Sequence, residues 1–512
     1  MAASAALAVV EPYSSGLGGG GFWLLHRARD GLELMVDGRE RAPLAARRGM
    51  YLDARGEPVP GASIDGALAA AIPGLPAALA HIAARYGRLP LTRSLAPAIR
   101  LAREGFPVDA RYRRFARFRL AALRASPEAA RIFLKDGEVP PEGWRLRQPA
   151  LAATLERLAR VGRDGFYAGP VAERLVAGVR AAGGIWTLED LAAYRVAERE
   201  PLRGTWQGVR LTSAAPPSSG GVLLVEMLHM LERFDWDRLD AATRAHVLVE
   251  IMRRAYRDRA RWLGDPDHVA MPLARLLSRA YAARLARGIR LDRATPSAAL
   301  GPPPGTAAPG GTHTTHLSIL DAEGNRVAAT LTINYPFGSG FVPPGTGVLL
   351  NDEMDDFALK PGVPNVYGLI GAEANAIAPG RRPLSSMSPT FLDDGRRLAI
   401  LGTPGGSRII TMVLHAILGF AEGADARGLV ARARFHHQYL PDEVQHEPGA
   451  FTPAVAARLR ALGHRLREVE PYGNMQAVVW DRRAGTVEAA SDPRGIGAAR
   501  VVAVPRRHVP AR

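Results

Sequence analysis

The chain has 512 residues, a formal net charge of +16 and a hydrophobic content of 47%, and it contains no cysteine. The missing thiols exclude disulfides, thiolate metal sites and cysteine nucleophiles, and the absence of any apolar run of about eighteen residues predicts no membrane span. Although a basic chain can bind nucleic acid, only two of the 66 basic residues are lysines and the arginines are spread along the sequence, so we expect no nucleic-acid partner.

The first residues, MAASAALAVVEP, are apolar but lack a basic leader and a clear cleavage site, so they are not typical of a secretory signal. The glycine-rich stretch at residues 15–22 is not expected to bind phosphate, because no Gly-Lys-Ser/Thr follows it. Two short strands are predicted at residues 22–25 and 32–36, joined by a turn at residues 28–31. This hairpin places Arg39 just after its second strand.

From residue 66 to about residue 281, leucine and alanine recur at helical spacing, which predicts a mostly helical scaffold. The basic amphipathic stretch at residues 111–124 is interpreted as a solvated helix face, with contact to an acidic surface as the alternative. Residues 187–190 have the pattern of a helix N-cap followed by acidic side chains. The sequence Pro-Pro-Ser-Ser-Gly-Gly at residues 216–221 could present a serine nucleophile, but it is more typical of turns and caps.

Thr314 stands at an abrupt change in the sequence pattern. The stretch before it, residues 297–313, consists mainly of small residues, glycine and proline without periodicity and is expected to be mobile. The stretch after it alternates polar and apolar residues, which predicts strands at residues 315–320 and 327–333 around a turn. A threonine hydroxyl needs an adjacent base, and cleavage before Thr314 would free an α-amine with an ordinary pKa of about 7.7 to 8.0. On these residues alone, an ordinary strand threonine is the simpler interpretation.

Further strands and helices are predicted downstream of this hairpin. The strands are expected at residues 347–350, 390–391, 398–401, 476–480 and 487–490, and the helices at residues 408–420, 429–433 and 453–462. His436, His437 and His446 could be considered a metal cluster, but adjacent strand residues point to opposite faces and could not easily share one metal. We therefore interpret these histidines as structural and expect no metal.

Eight sequence words follow one another along the chain. They are EP at residues 11–12, GGGGF at 18–22, DGRE at 37–40, TTH at 314–316, NDEMDDF at 351–357, PGVPNVYG at 361–368, RPLSSMSP at 382–389 and PGGSR at 404–408. These words closely resemble those of the γ-glutamyltranspeptidases, a family of autoprocessing N-terminal-nucleophile hydrolases. The resemblance extends from about residue 9 to about residue 499.

The resemblance implies an α+β fold, the four-layer αββα sandwich of the N-terminal-nucleophile hydrolases. Residues 1–313 would form a helix-rich large-chain portion and residues 314–512 the small-chain portion, and together they would make one αββα unit. Members of the family begin several dozen residues earlier, so the resemblance implies a truncated N-terminus with the signal region missing. It also implies a periplasmic or secreted location and a heterodimer of large and small chains cut from one precursor.

The catalytic residues follow from the same resemblance. Thr314 would be the nucleophile, released by self-cleavage of the bond between His313 and Thr314, and Thr332 would hydrogen-bond it. Gly405 and Gly406 would form the oxyanion loop, where absent side chains let backbone N–H groups approach the tetrahedral oxygen.

Six positions match those that hold the γ-glutamyl group: Arg39, Ser385 and Ser386 for its α-carboxylate, and Asn334, Glu353 and Asp356 for its α-ammonium. Tyr367 and residues 361–380 match the lid over the site. Two departures from the family pattern concern the substrate site: one is compatible with binding an ammonium, and the other changes the pocket wall. Glu353 stands where some members have glutamine, and Tyr335 with Pro336 replaces a small polar pair.

The implied activity is cleavage of the γ-glutamyl amide bond of glutathione or a related compound through a γ-glutamyl-threonine ester. The acyl group would pass to water or to an amino acid or peptide, and no metal or organic cofactor is implied. One alternative is a glutaryl or cephalosporin acylase of the same fold, although those enzymes tend to lack the lid. Another is a non-catalytic relic whose truncated N-terminus prevents folding or maturation.

Overall fold

The computed structural model describes residues 1–301 and 314–503. His313 and most of the proline- and glycine-rich stretch before it lie outside the described residues. The strands are β1 (Gly20–Arg27), β2 (Leu32–Gly38), β3 (Phe106–Pro107), β4 (Arg145–Leu146), β5 (Ala197–Arg199), β6 (Leu202–Trp206), β7 (Val209–Ser213), β8 (Thr315–Leu320), β9 (Arg326–Thr332), β10 (Thr390–Asp393), β11 (Arg397–Gly402), β12 (Phe435–His436), β13 (Val444–His446), β14 (Leu466–Glu468), β15 (Gln476–Asp481) and β16 (Thr486–Ser491). The α-helices are α1 (Ala2–Val10), α2 (Leu75–Arg85), α3 (Leu91–Glu104), α4 (Ala110–Phe118), α5 (Leu120–Ala125), α6 (Pro127–Phe133), α7 (Pro149–Val161), α8 (Asp164–Tyr167), α9 (Gly169–Ala181), α10 (Leu188–Ala193), α11 (Gly220–Leu231), α12 (Ala241–Trp262), α13 (Leu273–Leu276), α14 (Arg279–Arg287), α15 (Ile409–Ala421), α16 (Ala426–Ala431) and α17 (Pro453–Ala461).

Two antiparallel sheets form the centre of the fold. The first has five strands in the order β5-β2-β1-β9-β8, and the second has six in the order β16-β15-β11-β10-β7-β6. Both sheets combine strands from the two sides of Thr314, because β9 pairs with β1 in the first and β10 pairs with β7 in the second. The two portions of the chain are therefore joined by strand pairing as well as by the connecting peptide.

Alternating side chains along the strands create the layers. Leu24 and Ala328 of the first sheet pack against the second sheet, which contributes Phe391, Leu398 and Ile400 to the buried space between the two. Helices that include α1, α2, α3 and α7 cover the outer face of the first sheet, and α11, α12 and α15 cover that of the second. The arrangement is the predicted four-layer αββα sandwich.

The hairpin predicted after Thr314 is confirmed by β8 and β9, but two other predictions are wrong. Residues 197–213 belong to the predicted helical scaffold yet form β5, β6 and β7, whose short alternating stretches extend the edges of both sheets. Residues 347–350 do not form a strand, because Leu350 makes only an isolated bridge with Gly18. These residues favour an extended conformation, but apart from this bridge they have no strand beside them in the described residues with which to form a ladder.

The basic stretch at residues 111–124 forms α4 and α5, and α4 buries Tyr112 and Ala116 while most of its arginines face outward. Arg119, which lies between α4 and α5, is buried and donates to the carbonyl of Pro336 at 3.0 Å. Within residues 1–301 and 314–503, no helix has both the length and the apolar character needed to cross a bilayer.

Candidate active site

Strand pairing places Thr314 beside Thr332. In the antiparallel pair of β8 and β9, Thr315 lies opposite Leu331, so the preceding Thr314 falls opposite Thr332. Both threonines are buried, with 5% and 4% of their surface exposed. Thr332 Oγ1 accepts a 2.8 Å hydrogen bond from the Asn334 amide, which leaves the Thr332 hydroxyl proton free to be donated.

Thr314 faces a small cavity that is lined by most of the predicted site residues. The predicted residues that line it are Arg39, Thr314, Thr332, Asn334, Asp356, Tyr367, Ser385, Ser386 and Gly406. Leu369, Met387 and Ile409 add an apolar part to the wall. The cavity volume is about 20 Å³, which is room for roughly one water, so a γ-glutamyl group requires the wall to open.

Arg39 is surrounded by carboxylates at one side of the cavity. Its Nη1 lies 2.7 Å from Glu353 Oε2 and 3.4 Å from Glu40 Oε2. Its Nη2 lies 2.5 Å from Asp356 Oδ2, and its Nε donates to the Pro383 carbonyl at 3.1 Å. Glu353 is therefore part of the site although it does not line the cavity itself. Three acidic side chains face one guanidinium, and this excess suits the corner to a cationic ligand group.

Burial controls the protonation of these acids. It raises the pKa of Glu40 to about 7 and raises the pKa of Glu353 well above its ordinary value, in both cases against the attraction of Arg39. Burial alone would lower the pKa of Arg39, but the surrounding carboxylates outweigh it and raise that pKa overall, so the guanidinium stays charged. A bound cation would favour the ionised form of the two glutamates.

Buried amide side chains hold the loop at residues 351–357. The Asn351 side chain accepts from the Ala71 amide and donates to the Ala71 carbonyl, at 3.0 and 2.7 Å. Asn334 has a left-handed φ of 71°, and its Nδ2 donates to the Asp352 carbonyl at 3.0 Å. A positive φ is uncommon for residues other than glycine, so the surrounding structure imposes this conformation on Asn334.

Tyr367 forms part of the cavity wall and is tied to the rest of the site. Its hydroxyl donates to the Asn334 carbonyl at 2.6 Å, and its amide donates to Asn365 Oδ1 at 3.0 Å. Asn365 Nδ2 in turn donates to Asp356 Oδ1 at 3.0 Å. The predicted lid segment is therefore closed in this structure by hydrogen bonds to two of the predicted binding residues.

Ser385 and Ser386 lie on a loop that is hydrogen-bonded to residues 216–221. The amide and the hydroxyl of Ser219 both donate to the Ser385 carbonyl, at 2.8 and 2.7 Å. Ser218 Oγ accepts from the first amide of α11 at 3.0 Å. The Pro-Pro-Ser-Ser-Gly-Gly sequence thus provides a turn and a helix cap, as predicted, and it also supports the loop that carries Ser385 and Ser386.

Gly405 and Gly406 form the turn from β11 toward α15. Their φ angles are 152° and 56°, and a Cβ at Gly405 would come within 2.3 Å of Met412 Cε, so a larger residue would strain this turn. Neither amide donates a hydrogen bond to another residue in the part of the chain that the structure describes. Both N–H groups therefore remain available near a helix N-terminus, where the dipole is positive.

His316 is two residues from Thr314 but is not placed to act as its base. Its Nδ1 lies 2.8 Å from Thr330 Oγ1 and its Nε2 lies 3.1 Å from Ser318 Oγ. Burial lowers the pKa of His316 to about 3, so the ring is neutral at physiological pH. Both ring nitrogens are engaged elsewhere.

The histidines considered as a metal cluster bond separately. His436 Nδ1 lies 2.9 Å from Thr411 Oγ1, whereas His437 Nε2 lies 3.2 Å from Asp442 Oδ1. Among the described residues, no group of three or more histidine, aspartate or glutamate side chains is arranged to hold a metal ion. These contacts agree with the structural interpretation of the histidines.

The sequence patterns predict no role for three residues of this region that the structure places beside the site. Glu40 is the third acid beside Arg39. Its position next to Arg39 in the DGRE word could have indicated that the two side chains interact. Asn351 organises the acidic loop through its side-chain amide. Arg259 reaches Ser386 Oγ from α12 at 3.3 Å, but it is one of several arginines on that helix and no sequence signal separates it from the others.

Comparisons with known proteins agree with this geometry. The family model for γ-glutamyltranspeptidase matches residues 1–502. The glutathione hydrolase proenzyme of Escherichia coli is 42% identical, covering 96% of this chain and 85% of its own length. The corresponding proenzyme of Pseudomonas aeruginosa is 41% identical over 97% of this chain and 88% of its own.

Two solved structures are also similar to the chain in fold. The cephalosporin acylase from Bacillus halodurans has a TM-score of 0.85 at 27% identity and covers 98% of this chain and 91% of its own. The Helicobacter pylori γ-glutamyltranspeptidase has a TM-score of 0.57 at 38% identity, with 59% of this chain and 87% of its own covered. The family match over residues 1–502, the relatives at more than 40% identity and the αββα fold together show that the chain belongs to the γ-glutamyltranspeptidase family.

Proposed function

We propose that this protein cleaves the γ-glutamyl amide bond of glutathione and related compounds and passes the γ-glutamyl group to water or to an amino acid or peptide. The observation that carries the proposal is the cavity in which Thr314, immediately before β8, meets both Arg39 and Asp356. A γ-glutamyl group carries an α-carboxylate and an α-ammonium, and this cavity offers a partner for each. The names of the Escherichia coli and Pseudomonas aeruginosa relatives, both glutathione hydrolase proenzymes, support the same activity.

The first reaction is self-cleavage of the chain. The Thr314 hydroxyl attacks the carbonyl carbon of His313, the peptide nitrogen becomes the free α-amine of Thr314, and water hydrolyses the resulting ester. The products are residues 1–313, with a new carboxyl end, and residues 314–512. The pairing of β9 with β1 and of β10 with β7 would hold the two products together as a heterodimer.

The same hydroxyl then carries out acyl transfer. The α-amine of Thr314, with an ordinary pKa of about 7.7 to 8.0, accepts the hydroxyl proton as Oγ1 attacks the γ-glutamyl carbonyl. The amides of Gly405 and Gly406 would stabilise the tetrahedral oxygen, and each such donor contributes about 3 kcal/mol. The leaving amine takes up the proton, and water or an acceptor amine then attacks the γ-glutamyl-Thr314 ester along the reverse proton path.

The recognition groups divide by charge. The α-carboxylate would bind Arg39, Ser385 and Ser386, and the α-ammonium would bind Asn334, Glu353 and Asp356. An ammonium placed beside Glu353 and Asp356 lowers their pKa and replaces part of the charge balance that Arg39 provides in this structure. Tyr367 would cover the bound group and exclude water until the ester has formed.

Two anilides test the substrate class. γ-L-Glutamyl-p-nitroanilide carries both charged groups, and glutaryl-p-nitroanilide lacks only the ammonium. We expect kcat/KM to be at least about 100-fold higher for the γ-glutamyl compound, because the glutaryl compound leaves buried acids unpaired. Equal or faster hydrolysis of the glutaryl compound would favour the acylase alternative.

Thr332→Val is expected to slow both self-cleavage and anilide hydrolysis by roughly 10- to 100-fold. Valine keeps the β-branched shape of the strand residue but removes the hydroxyl opposite Thr314. The measurements are the fraction of cleaved chain against time and the steady-state kcat. Thr330→Val is the matched control, because that hydroxyl on the same strand contacts His316 instead. Equal slowing in the two variants would contradict the role of Thr332.

Tyr367→Phe removes only the hydroxyl that donates to the Asn334 carbonyl. Since such a hydrogen bond contributes about 1 kcal/mol, the lid covers a bound γ-glutamyl group less firmly without it, and KM for the γ-glutamyl anilide should rise about 3- to 10-fold. Steady-state kinetics over a wide range of substrate concentration measures this change. Unaltered KM and kcat would show that the hydroxyl does not hold the lid closed.

We also propose a periplasmic or secreted location, on the basis of the family resemblance. Source cells would be separated into cytoplasm, periplasm and medium, and each fraction probed for the fragments of residues 1–313 and 314–512. Fragments confined to the cytoplasm would contradict this location.

A further inference from the structure

Arg259 is a buried cation without a carboxylate partner among the described residues. It lies on α12 with 5% of its surface exposed, and its recorded hydrogen bonds go to hydroxyl groups. Two other buried arginines of the same helix, Arg253 and Arg254, both pair with Glu250. A buried charge is costly unless it is balanced, and burial lowers the pKa of the Arg259 guanidinium. This position is therefore suited to an anion that the protein itself does not provide.

Arg259 fixes the direction of two serine hydroxyls. Its Nε donates to Ser219 Oγ at 3.0 Å, and its Nη2 donates to Ser386 Oγ at 3.3 Å. The Ser219 hydroxyl donates its own hydrogen bond to the Ser385 carbonyl. Since a guanidinium can only donate, Ser386 accepts from it and keeps its proton for a group in the cavity that Ser386 lines. Arg259 thus makes Ser386 a hydrogen-bond donor toward the cavity.

More of the N–H donors of Arg39 than of Arg259 already have a hydrogen-bond or ion-pair partner. Its Nε and Nη2 reach the carbonyls of Pro383 and Leu384, and its two Nη atoms also contact the three acids described above. A guanidinium has five N–H donors, so an incoming carboxylate can bind Arg39 only by displacing a present partner. A second cation close to the serine pair would offset that cost.

We propose that Arg259 is a positioning residue for the α-carboxylate of the γ-glutamyl group, holding Ser386 as a donor and supplying a second positive charge behind it. The inference rests on the proposed function, because it concerns the same site and the same substrate. It adds a residue from α12 to a carboxylate site that the sequence resemblance limits to Arg39, Ser385 and Ser386.

The geometry of α12 explains how one helix supports two parts of the site. Tyr256 and Arg259 are three residues apart and therefore share a helix face. The Tyr256 hydroxyl donates to the Ser407 carbonyl, next to Gly406, while Arg259 reaches Ser386. If Arg259 only braced these loops, its loss would affect all substrates alike. A role in carboxylate binding predicts an effect that depends on the substrate.

The test compares two substrates that differ only at the α-carboxylate. One is γ-L-glutamyl-p-nitroanilide, and the other is its α-carboxamide analogue, which is neutral at that position and nearly the same size. For Arg259→Met we expect kcat/KM on the carboxylate substrate to fall by about 10- to 100-fold, mainly through KM, and to fall by less than about 3-fold on the carboxamide. Arg259→Lys keeps the positive charge but loses the planar guanidinium with its several N–H donors. We therefore expect kcat/KM to fall by about 3- to 10-fold on the carboxylate substrate alone.

Arg257→Met is the matched control, because Arg257 lies on the same helix and pairs with Asp258 rather than with a serine of the site. This variant should leave the ratio of the two substrates unchanged. If Arg259→Met does not fold, Arg259→Lys provides the same substrate comparison. An active wild type whose Arg259 variants lose activity equally on both substrates would overturn the inference alone. A wild type that hydrolyses neither anilide would contradict the proposed function, and the inference would fail with it.

Discussion

Thr314→Ala is expected to remain a single chain of 512 residues and to lose hydrolysis of γ-glutamyl-p-nitroanilide by at least roughly 10⁴-fold. The variant lacks the hydroxyl that would attack the His313 carbonyl, so no α-amine is released at position 314. Without that amine and that hydroxyl, both the base and the nucleophile of the proposed acyl transfer are missing. Denaturing electrophoresis with intact-mass analysis measures the first effect, and the anilide assay measures the second.

Thr314→Ser is the matched control for this variant. Serine keeps the hydroxyl and would still release an α-amine, so we expect two fragments that meet at His313 and position 314, formed more slowly than in the wild type. The fragments should retain measurable activity. Fragments of the same masses in Thr314→Ala would show that another group cuts the chain and would contradict the role of Thr314.

Arg39→Met is expected to lower kcat/KM for the γ-glutamyl anilide by roughly 10³-fold. The substitution removes the cation that contacts Glu353 at 2.7 Å and Asp356 at 2.5 Å, and it removes the fork proposed to bind the substrate carboxylate. Arg48→Met is the control, because Arg48 forms an exposed pair with Glu373 outside the cavity. A loss of activity below about 3-fold in Arg39→Met would contradict the assignment of the carboxylate site.

The Arg39→Met substitution should also change how stability depends on pH. Burial already raises the pKa of Glu40 from 4.5 to about 7, and removal of Arg39 takes away the attraction that opposes this shift. A carboxyl group with a raised pKa in the folded state holds its proton more tightly there than in the unfolded chain, so stability falls as pH rises above the unfolded pKa. Glu40 holds its proton in both folded proteins below about pH 7, so the difference in free energy of unfolding between wild type and variant should stay nearly constant there and grow as pH rises through about 7, where only the wild type ionises Glu40 readily. A difference that shrinks as pH rises would contradict this charge balance.

The sequence predicts the central hairpin well because its pattern is local. Alternation of polar and apolar residues on both sides of a short turn is sufficient to define β8 and β9, and the register then brings Thr314 opposite Thr332. The short strands β5, β6 and β7 are not predicted, since their stability comes from pairing with distant strands at the sheet edges. The predicted strand at residues 347–350 fails for the opposite reason, because within residues 1–301 and 314–503 no strand pairs with it beyond one bridge.

The site residues could be named only through the family resemblance. Arg39, Asp356 and Ser386 belong to words that carry it, and the fold brings all three to one cavity. Arg259 lies in a helix rich in arginine, where spacing alone does not reveal which guanidinium turns inward without a counter-ion. Glu40 is adjacent to Arg39 in sequence, but whether its side chain points into the cluster depends on tertiary packing.

The shared sheets also explain why a cut chain can stay folded. Each sheet joins a block of strands from residues 1–313 to a block from residues 314–512, so separating the two products would expose the edges of β1, β7, β9 and β10. We therefore expect the proposed cleavage to create a new terminus at Thr314 without releasing either product.

The most direct measurement is peptide mass mapping of the purified protein after brief incubation with γ-L-glutamyl-p-nitroanilide and an acid quench. The proposed chemistry predicts that the peptide starting at Thr314 carries the mass of one γ-glutamyl group and that dilution into buffer before the quench removes it. The same peptide should be unmodified when the glutaryl anilide is used. Turnover with an adduct on another residue, such as Ser218 or Ser219, or with no adduct at Thr314 under conditions that trap the ester, would contradict the assignment of Thr314 as the nucleophile.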